Sequence, residues 1–197
     1  MTQKTRTLTG LALLTAIIVV LQVVASFVKF GPFAITLALA PIIIGAALYG
    51  PKAGAYLGAV FGIVVWIACV LGWDPGGSIL WTARPLVTFL LCLVKGAVAG
   101  LAAGAVFRAL SHRGASMGAA ILSGIVCPVV NTGIFLLGLY LCYYETLVAW
   151  AGGTALVYYV ITGLVGVNFV LELVINLVLS SVIVRVVQAR SKAVSVI

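Results

Sequence analysis

Tyr158-Tyr-Val-Ile-Thr-Gly-Leu-Val-Gly-Val-Asn168-Phe-Val-Leu-Glu172-Leu-Val-Ile-Asn176-Leu-Val-Leu-Ser-Ser-Val-Ile-Val-Arg185-Val-Val187 is apolar almost throughout, yet it carries two amides and a carboxylate in its middle. Asn168, Glu172 and Asn176 are spaced at i, i+4 and i+8, so on a helix they project from one face. The run is too apolar for a helix in water, and a carboxylate near the centre of a bilayer costs roughly 2.5–3.5 kcal/mol even on insertion scales. That face therefore turns inward. The other helices are expected to close around it and form a cavity for a small molecule entering from outside. Interhelical hydrogen bonding is a second use for the two asparagines.

Composition sets the class. Of the 197 residues, 64% are hydrophobic and 7% charged, and the mean hydropathy is +1.35. A soluble fold of this size cannot hide that much apolar surface beneath a polar shell. The chain reads as an all-α, multi-pass membrane protein, with residues 1–197 as a single transmembrane domain. Its first apolar run is too long, and too quickly followed by others, for a cleaved signal peptide, so none is expected. The net charge of +8 comes from single basic residues in short loops. They form no patch interleaved with aromatics, so a nucleic-acid partner is not expected.

Charge-free stretches predict six spans. The first, 7–28, is long enough at about 1.5 Å per residue to cross a core of about 30 Å; Ala12 and Ala16 form a small-xxx-small pair on it that admits a second helix closely. A short amphipathic connection, Lys29 to Phe33, leads into a second span, 33–49, which is short and interrupted by Pro41. After the turn Gly50-Pro51-Lys52, a third span, 53–72, carries Gly54, Gly58 and Gly62 in one stripe. Residues 73–84 read as a loop with two tryptophans, a candidate lid over a site. The fourth span, 85–110, holds Lys95 and a second stripe, Gly96, Gly100 and Gly104; the fifth, 115–141, holds Pro128 and Asn131. An interfacial segment around Trp150 precedes the sixth.

Six crossings put both termini on one side. Eight of the 11 Lys and Arg (4, 6, 52, 108, 113, 185, 190 and 192) then share that side, against 29 and 84 opposite. The positive-inside rule makes the termini cytoplasmic. All four tryptophans fall toward the outer face, which favours a site beneath it.

Two charges lie deep, Lys95 and Glu172. They suit either a structural ion pair between two helices or contacts to a polar ligand. Asn131, three residues after Pro128, sits where proline frees a backbone carbonyl, a place suited to ligand contact or to helix–helix bonding. Arg84, at the outer mouth, suits attraction of an anion or a lipid headgroup. His112 beside Arg113 reads as solvated.

No phosphate-binding loop, metal-ligand pattern or hydrolase motif is present, and Cys69, Cys92, Cys127 and Cys142 have neither metal-ligand nor framework spacing. No cofactor, metal or catalytic residue is expected. ATP cannot be used by this chain alone. The alternatives are a stand-alone facilitator or secondary carrier, many of which show internal repeats that are not evident here, and a membrane enzyme built on Lys95 and Glu172 as its acid-base pair.

Several stretches resemble a known family. Ala12-Leu-Leu-Thr-Ala16, the block Leu39-Ala-Pro-Ile-Ile-Ile-Gly-Ala-Ala-Leu-Tyr-Gly-Pro-Lys-Ala-Gly-Ala-Tyr-Leu-Gly-Ala-Val-Phe-Gly62, Lys95-Gly96 with Ala99-Gly100, Asn131-Thr132, and Gly166-Val-Asn-Phe-Val-Leu-Glu172 together resemble the substrate-binding S component of energy-coupling factor (ECF) transporters, nearest the pantothenate-type branch. The resemblance covers almost the whole chain. It implies a six-helix protein of the plasma membrane that captures a vitamin outside, docks on a transmembrane coupling subunit driven by two ATPase subunits, and topples to release its load. In that family the small-residue face of the first helix docks, which maps onto Ala12 and Ala16. The ligand is held by the outer halves of helices four to six and adjoining loops, which implicates Trp81, Arg84, Asn131 and Asn168, with Lys95 and Glu172 deeper.

Overall fold

The computed structural model describes residues 3–28, 32–34, 36–111, 116–166, 168–179 and 185. The sequence assignments made for Lys29, His112, Arg113, Arg190 and Lys192 lie outside the described residues. Among the described residues the chain is helical, with no strand.

Helix α1 (Gln3–Ala25) turns only a narrow stripe toward the bundle: Leu14, Ile18, Gln22 and Ala25 are buried, while Leu8, Leu13, Ile17, Val20 and Val24 are exposed. Ala12 and Ala16 lie on the exposed side. A helix with so little of its apolar surface covered needs lipid or another protein around it.

Helix α2 (Leu39–Tyr49) has 11 residues, about 16 Å at helical rise, so it does not cross a bilayer core by itself. The expected span from 33 thus becomes a non-helical entry followed by a short buried helix. Pro41 falls in the first turn, where the missing N–H has no intrahelical acceptor to lose, and it introduces no break. Ile42 and Ile43 are wholly buried, which makes α2 the centre of the bundle.

Helices α3 (Pro51–Val70) and α5 (Pro85–Ser111) form the spine. The glycine stripe of α3 packs on α5, and two of its three glycines meet glycines of the second stripe. A Cβ on Gly54 would run into the backbone carbonyl of Gly100, one on Gly58 into that of Gly96, and one on Gly62 into that of Cys92. Only glycine allows these antiparallel backbones to touch. Cys69, Cys92 and Cys127 are buried among Leu39, Leu57 and Phe61 in the main core, and all four cysteines are free.

Between the two spine helices, residues 75–83 are not a loop but a helix, α4 (Pro75–Ala83). The start signal is local. Asp74 caps it, its Oδ1 accepting from the Gly77 N–H at 3.0 Å, and Pro75 occupies the first position, where its fixed φ suits the turn. Helix α6 (Ser116–Cys142) contains Pro128 and is tied to α5 by Ser123 Oγ, which donates to the Ala103 carbonyl at 3.0 Å.

After α6 the chain turns through α7 (Tyr144–Ala151) and reverses at Gly152 and Gly153, whose φ of 56° and 86° are left-handed. Helix α8 (Leu156–Tyr159) continues directly into a π-helical segment, Val160–Val165, and α9 runs over Asn168–Leu179. The axis of Leu156–Leu164 lies 85° from that of α7. The continuous run predicted over 158–187 is therefore broken into segments of different pitch where it is described. Among the described residues four helices are long and apolar enough to cross a membrane, five if the bent pair is one span.

Tyr49 at the end of α2 packs on Gly10 of α1, and Pro51 packs on Gly104 of α5. These contacts gather Lys4, Arg6, Lys52 and Arg108 at one end of the bundle. The polar interior lies at the other end.

Candidate functional site

The buried polar residues of that second end converge from different elements on one cavity of about 70 Å³, room for roughly five water molecules. Lys95 comes from α5, Asn131 and Phe135 from α6, and Asn168 and Glu172 from α9. Four of the predicted site residues, Lys95, Asn131, Asn168 and Glu172, are thus brought together. Gln22, Thr36, Asp74 and Thr132 complete the polar lining.

Lys95 is 9% exposed, and its ammonium sits over two aromatic faces, with Nζ 4.8 Å from the Phe135 ring centroid and 5.8 Å from that of Phe61. Ring quadrupoles stabilise a cation there without neutralising it. Glu172, 5% exposed, receives the hydroxyl and backbone N–H of Thr36, while its Oε2 has no hydrogen-bond partner. Among the described residues the two charges share a cavity but form no ion pair. Each remains available to a ligand.

Asn168 and Glu172 stand one turn apart on α9. Asn168 Nδ2 donates to the Phe33 carbonyl at 3.1 Å, which leaves Oδ1 buried without a partner. Asn176, the third residue of the predicted face, does not line the cavity. Its backbone instead lies close to Gly124 of α6, and its side-chain Oδ1 is buried without a hydrogen-bond partner, so no interhelical hydrogen bond through that oxygen is seen.

Residues 32–34 form the roof. The Gly76 N–H at the start of α4 donates to the Pro32 carbonyl at 2.8 Å. The Phe33 ring wedges edge-on between Phe135 at 4.9 Å and Trp150 at 5.7 Å. Together with Asn168, these contacts pin the segment over the cavity.

Trp81 and Arg84 do not line this space. The Trp81 ring meets Trp66 edge-on at 5.8 Å as part of the main core. Arg84 has an exposed side chain, and its backbone carbonyl accepts from Tyr143 Oη and Thr88 Oγ1, each at 3.0 Å. Sequence reasoning missed Gln22, Thr36 and Phe33. Gln22 had a usable signal, a lone amide in an apolar helix on the same stripe as Leu14 and Ile18. Thr36 and Phe33 had none, because their positions depend on where α2 begins.

Residues 6–184 match the family described as ECF transporter, substrate-specific component. The chain belongs to that family. A substrate-specific component is the binding part of a transporter, not an enzyme. The chain is also similar to the pantothenic acid transporter PanT of Lactococcus lactis subsp. cremoris (strain MG1363), with 25% identity over 185 residues covering 88% of this chain and 89% of the relative. Family and helix composition together make it a multi-pass membrane protein.

Proposed function

We propose that this chain captures a small micronutrient, pantothenate by preference, from outside the cell and delivers it through a separate coupling subunit and two ATPase subunits. The observation that carries the reading is the cavity itself: a lysine and three amides from different elements, closed over by residues 32–34, at the end of the bundle away from Lys4, Arg6, Lys52 and Arg108. With those basic residues cytoplasmic, the closed cavity lies on the outer side. The proposed topology has six crossings of the plasma membrane, with α2 and its entry forming one and the run 158–187 another, and both termini inside. Pantothenate brings a carboxylate for Lys95 and hydroxyl and amide groups for the cavity amides. The similarity to a pantothenic acid transporter supports that choice.

At about 70 Å³ the cavity is well below the roughly 300 Å³ at which small-molecule sites begin. Ligand entry therefore requires the roof to lift, and Phe33 is the side chain that has to withdraw from between Phe135 and Trp150. Arg84, exposed near the same end, supplies a charge that draws anions toward the mouth, while Trp81 braces α4 against α3. Ala12 and Ala16 on the open face of α1 form the docking surface for the coupling subunit.

The test is reconstitution. Vesicles holding this chain with a coupling subunit and its ATPases accumulate pantothenate only when ATP is supplied, and vesicles lacking this chain accumulate none. Accumulation driven by this chain without partners would establish a stand-alone carrier instead.

A further inference from the structure

The end of the bundle that carries the basic residues has an opening of its own. A cleft of about 420 Å³ lies between α2 and α5, lined by Ala46, Ala47, Tyr49, Phe107, Arg108 and Ser111. It falls within the roughly 300–1,000 Å³ of small-molecule sites, which the polar cavity at the other end does not. Gly50 also lines it, and a Cβ on Gly50 would meet nothing within 4 Å. Much of the lining is apolar: Ala46 and Phe107 are buried core residues, and Tyr49 packs on Gly10 of α1. Among the described lining residues Arg108 alone is charged, and it is exposed.

Charge at this end is one-sided. Lys4, Arg6, Lys52 and Arg108 are all exposed, and the whole chain has three acidic side chains. Asp74 and Glu172 line the polar cavity, and Glu145 stands in the first turn of α7, the helix whose Trp150 packs on Phe33 over that cavity. No acidic side chain is left for Arg108. Its place in the last turn of α5 sets it against the negative end of that helix, but a terminus worth about half an elementary charge does not offset four cations. The positive end of α3, which starts at Pro51 beside the cleft, adds to them.

An apolar floor beneath an arginine, where membrane helices begin and end, fits a molecule that is anionic at one end and greasy at the other. We propose that this cleft holds the headgroup region of one anionic phospholipid, its phosphate on Arg108 and its glycerol and first methylenes over Ala46, Ala47 and Phe107. Basic pockets between helices on the cytoplasmic side suit such headgroups, and a guanidinium pairs with phosphate oxygens through two parallel N–H groups. Free phosphate offers the same oxygens but covers none of the floor. The cleft shares no residue with the polar cavity, so lipid binding here and pantothenate binding there are read independently.

The purified full chain in detergent is titrated with phosphatidylglycerol, with phosphatidylcholine of the same acyl chains, and with inorganic phosphate, and the bound molecules are counted by native mass spectrometry. One phosphatidylglycerol is expected to stay bound at concentrations where phosphatidylcholine does not, and an excess of inorganic phosphate is expected not to release it. Arg108→Gln weakens phosphatidylglycerol about tenfold. Lys4→Gln removes the same charge from the same end without touching the cleft and weakens it about twofold or less. Both side chains are exposed, so both variants melt as the parent does. Equal retention of the two lipids, or equal losses in the two variants, overturns the assignment by leaving only general attraction to detergent-like chains or to a charged surface. Release of the lipid by phosphate overturns it in favour of a soluble anion. If no lipid is retained, the assignment falls and the cleft is left to an acidic segment of a partner protein.

Discussion

Replacing Lys95 with Met separates a ligand contact from a structural charge. Lys95 is 9% exposed, has no ion pair with Glu172 among the described residues, and its ammonium rests 4.8 Å from the Phe135 centroid. If it receives a ligand carboxylate, its loss removes a charge-assisted hydrogen bond of about 1.5–3 kcal/mol, which is a 10- to 150-fold rise in dissociation constant. The folded state loses little. Methionine fills the same channel between Phe61 and Phe135 with favourable sulfur–ring contacts, and the variant no longer buries an uncompensated cation. Calorimetric titration with pantothenate and a thermal melt in the same detergent read the two effects side by side. The account expects weak binding with a melting temperature equal to or above that of the parent. Unchanged affinity, or lost affinity accompanied by a large drop in melting temperature, refutes the assignment. Adding Glu172→Gln to Lys95→Met should restore nothing, because the residues are not each other's partner; recovery in the double variant would show that they are.

Asn168→Leu should weaken binding by about 1–3 kcal/mol by leaving a ligand donor unpaired, whereas Asn176→Leu, outside the cavity, should leave affinity unchanged in the same titration. Gly58→Leu should prevent α3 and α5 from meeting at the Gly96 carbonyl and abolish the folded peak in size-exclusion chromatography. A monodisperse, ligand-binding variant would mean the helices do not touch there. Replacing Ala12 or Ala16 with Trp should leave binding by the isolated chain intact and abolish ATP-driven uptake with the partners, since both face away from the cavity; lost binding would count against docking. Phe33→Ala should speed ligand entry in stopped-flow fluorescence by loosening the wedge between Phe135 and Trp150, and an unchanged association rate would remove Phe33 from the entry path.

The parts of this architecture that depend on one helix touching another were legible because their physics is local. Glycine at every fourth residue can be read without knowing the partner, and Gly54, Gly58 and Gly62 duly find Gly100, Gly96 and Cys92. Buried polar residues in an apolar run are legible for a similar reason, so Lys95, Asn131, Asn168 and Glu172 could be picked out before any fold was known. What they did not reveal was register. Asn176 shares a nominal face with Asn168 and Glu172, yet its backbone lies close to Gly124 while they meet the cavity. The π-helical segment preceding α9 changes the pitch of a run that reads as uniform.

Local signals were also passed over. Asp74-Pro75 is a cap followed by a favoured first residue, and α4 starts there despite two glycines that suggest a loop. The start of α2 at Leu39 is a tertiary outcome. Phe33 and Thr36 are held by groups from α9 and by aromatic rings of α6 and α7, which no property of residues 33–38 announces. The roof of the site was therefore the least visible part of it.

We propose that this chain binds its ligand in an enclosed cavity on its outer side and needs partner subunits to carry it across. Labelled pantothenate added to sealed vesicles that contain only this chain tests that claim directly. The account predicts saturable binding of one molecule per outward-facing chain, all of it released by unlabelled ligand, with nothing accumulated in or exchanged through the lumen. Steady passage of label into the vesicles, or no saturable binding to a correctly folded chain, contradicts it.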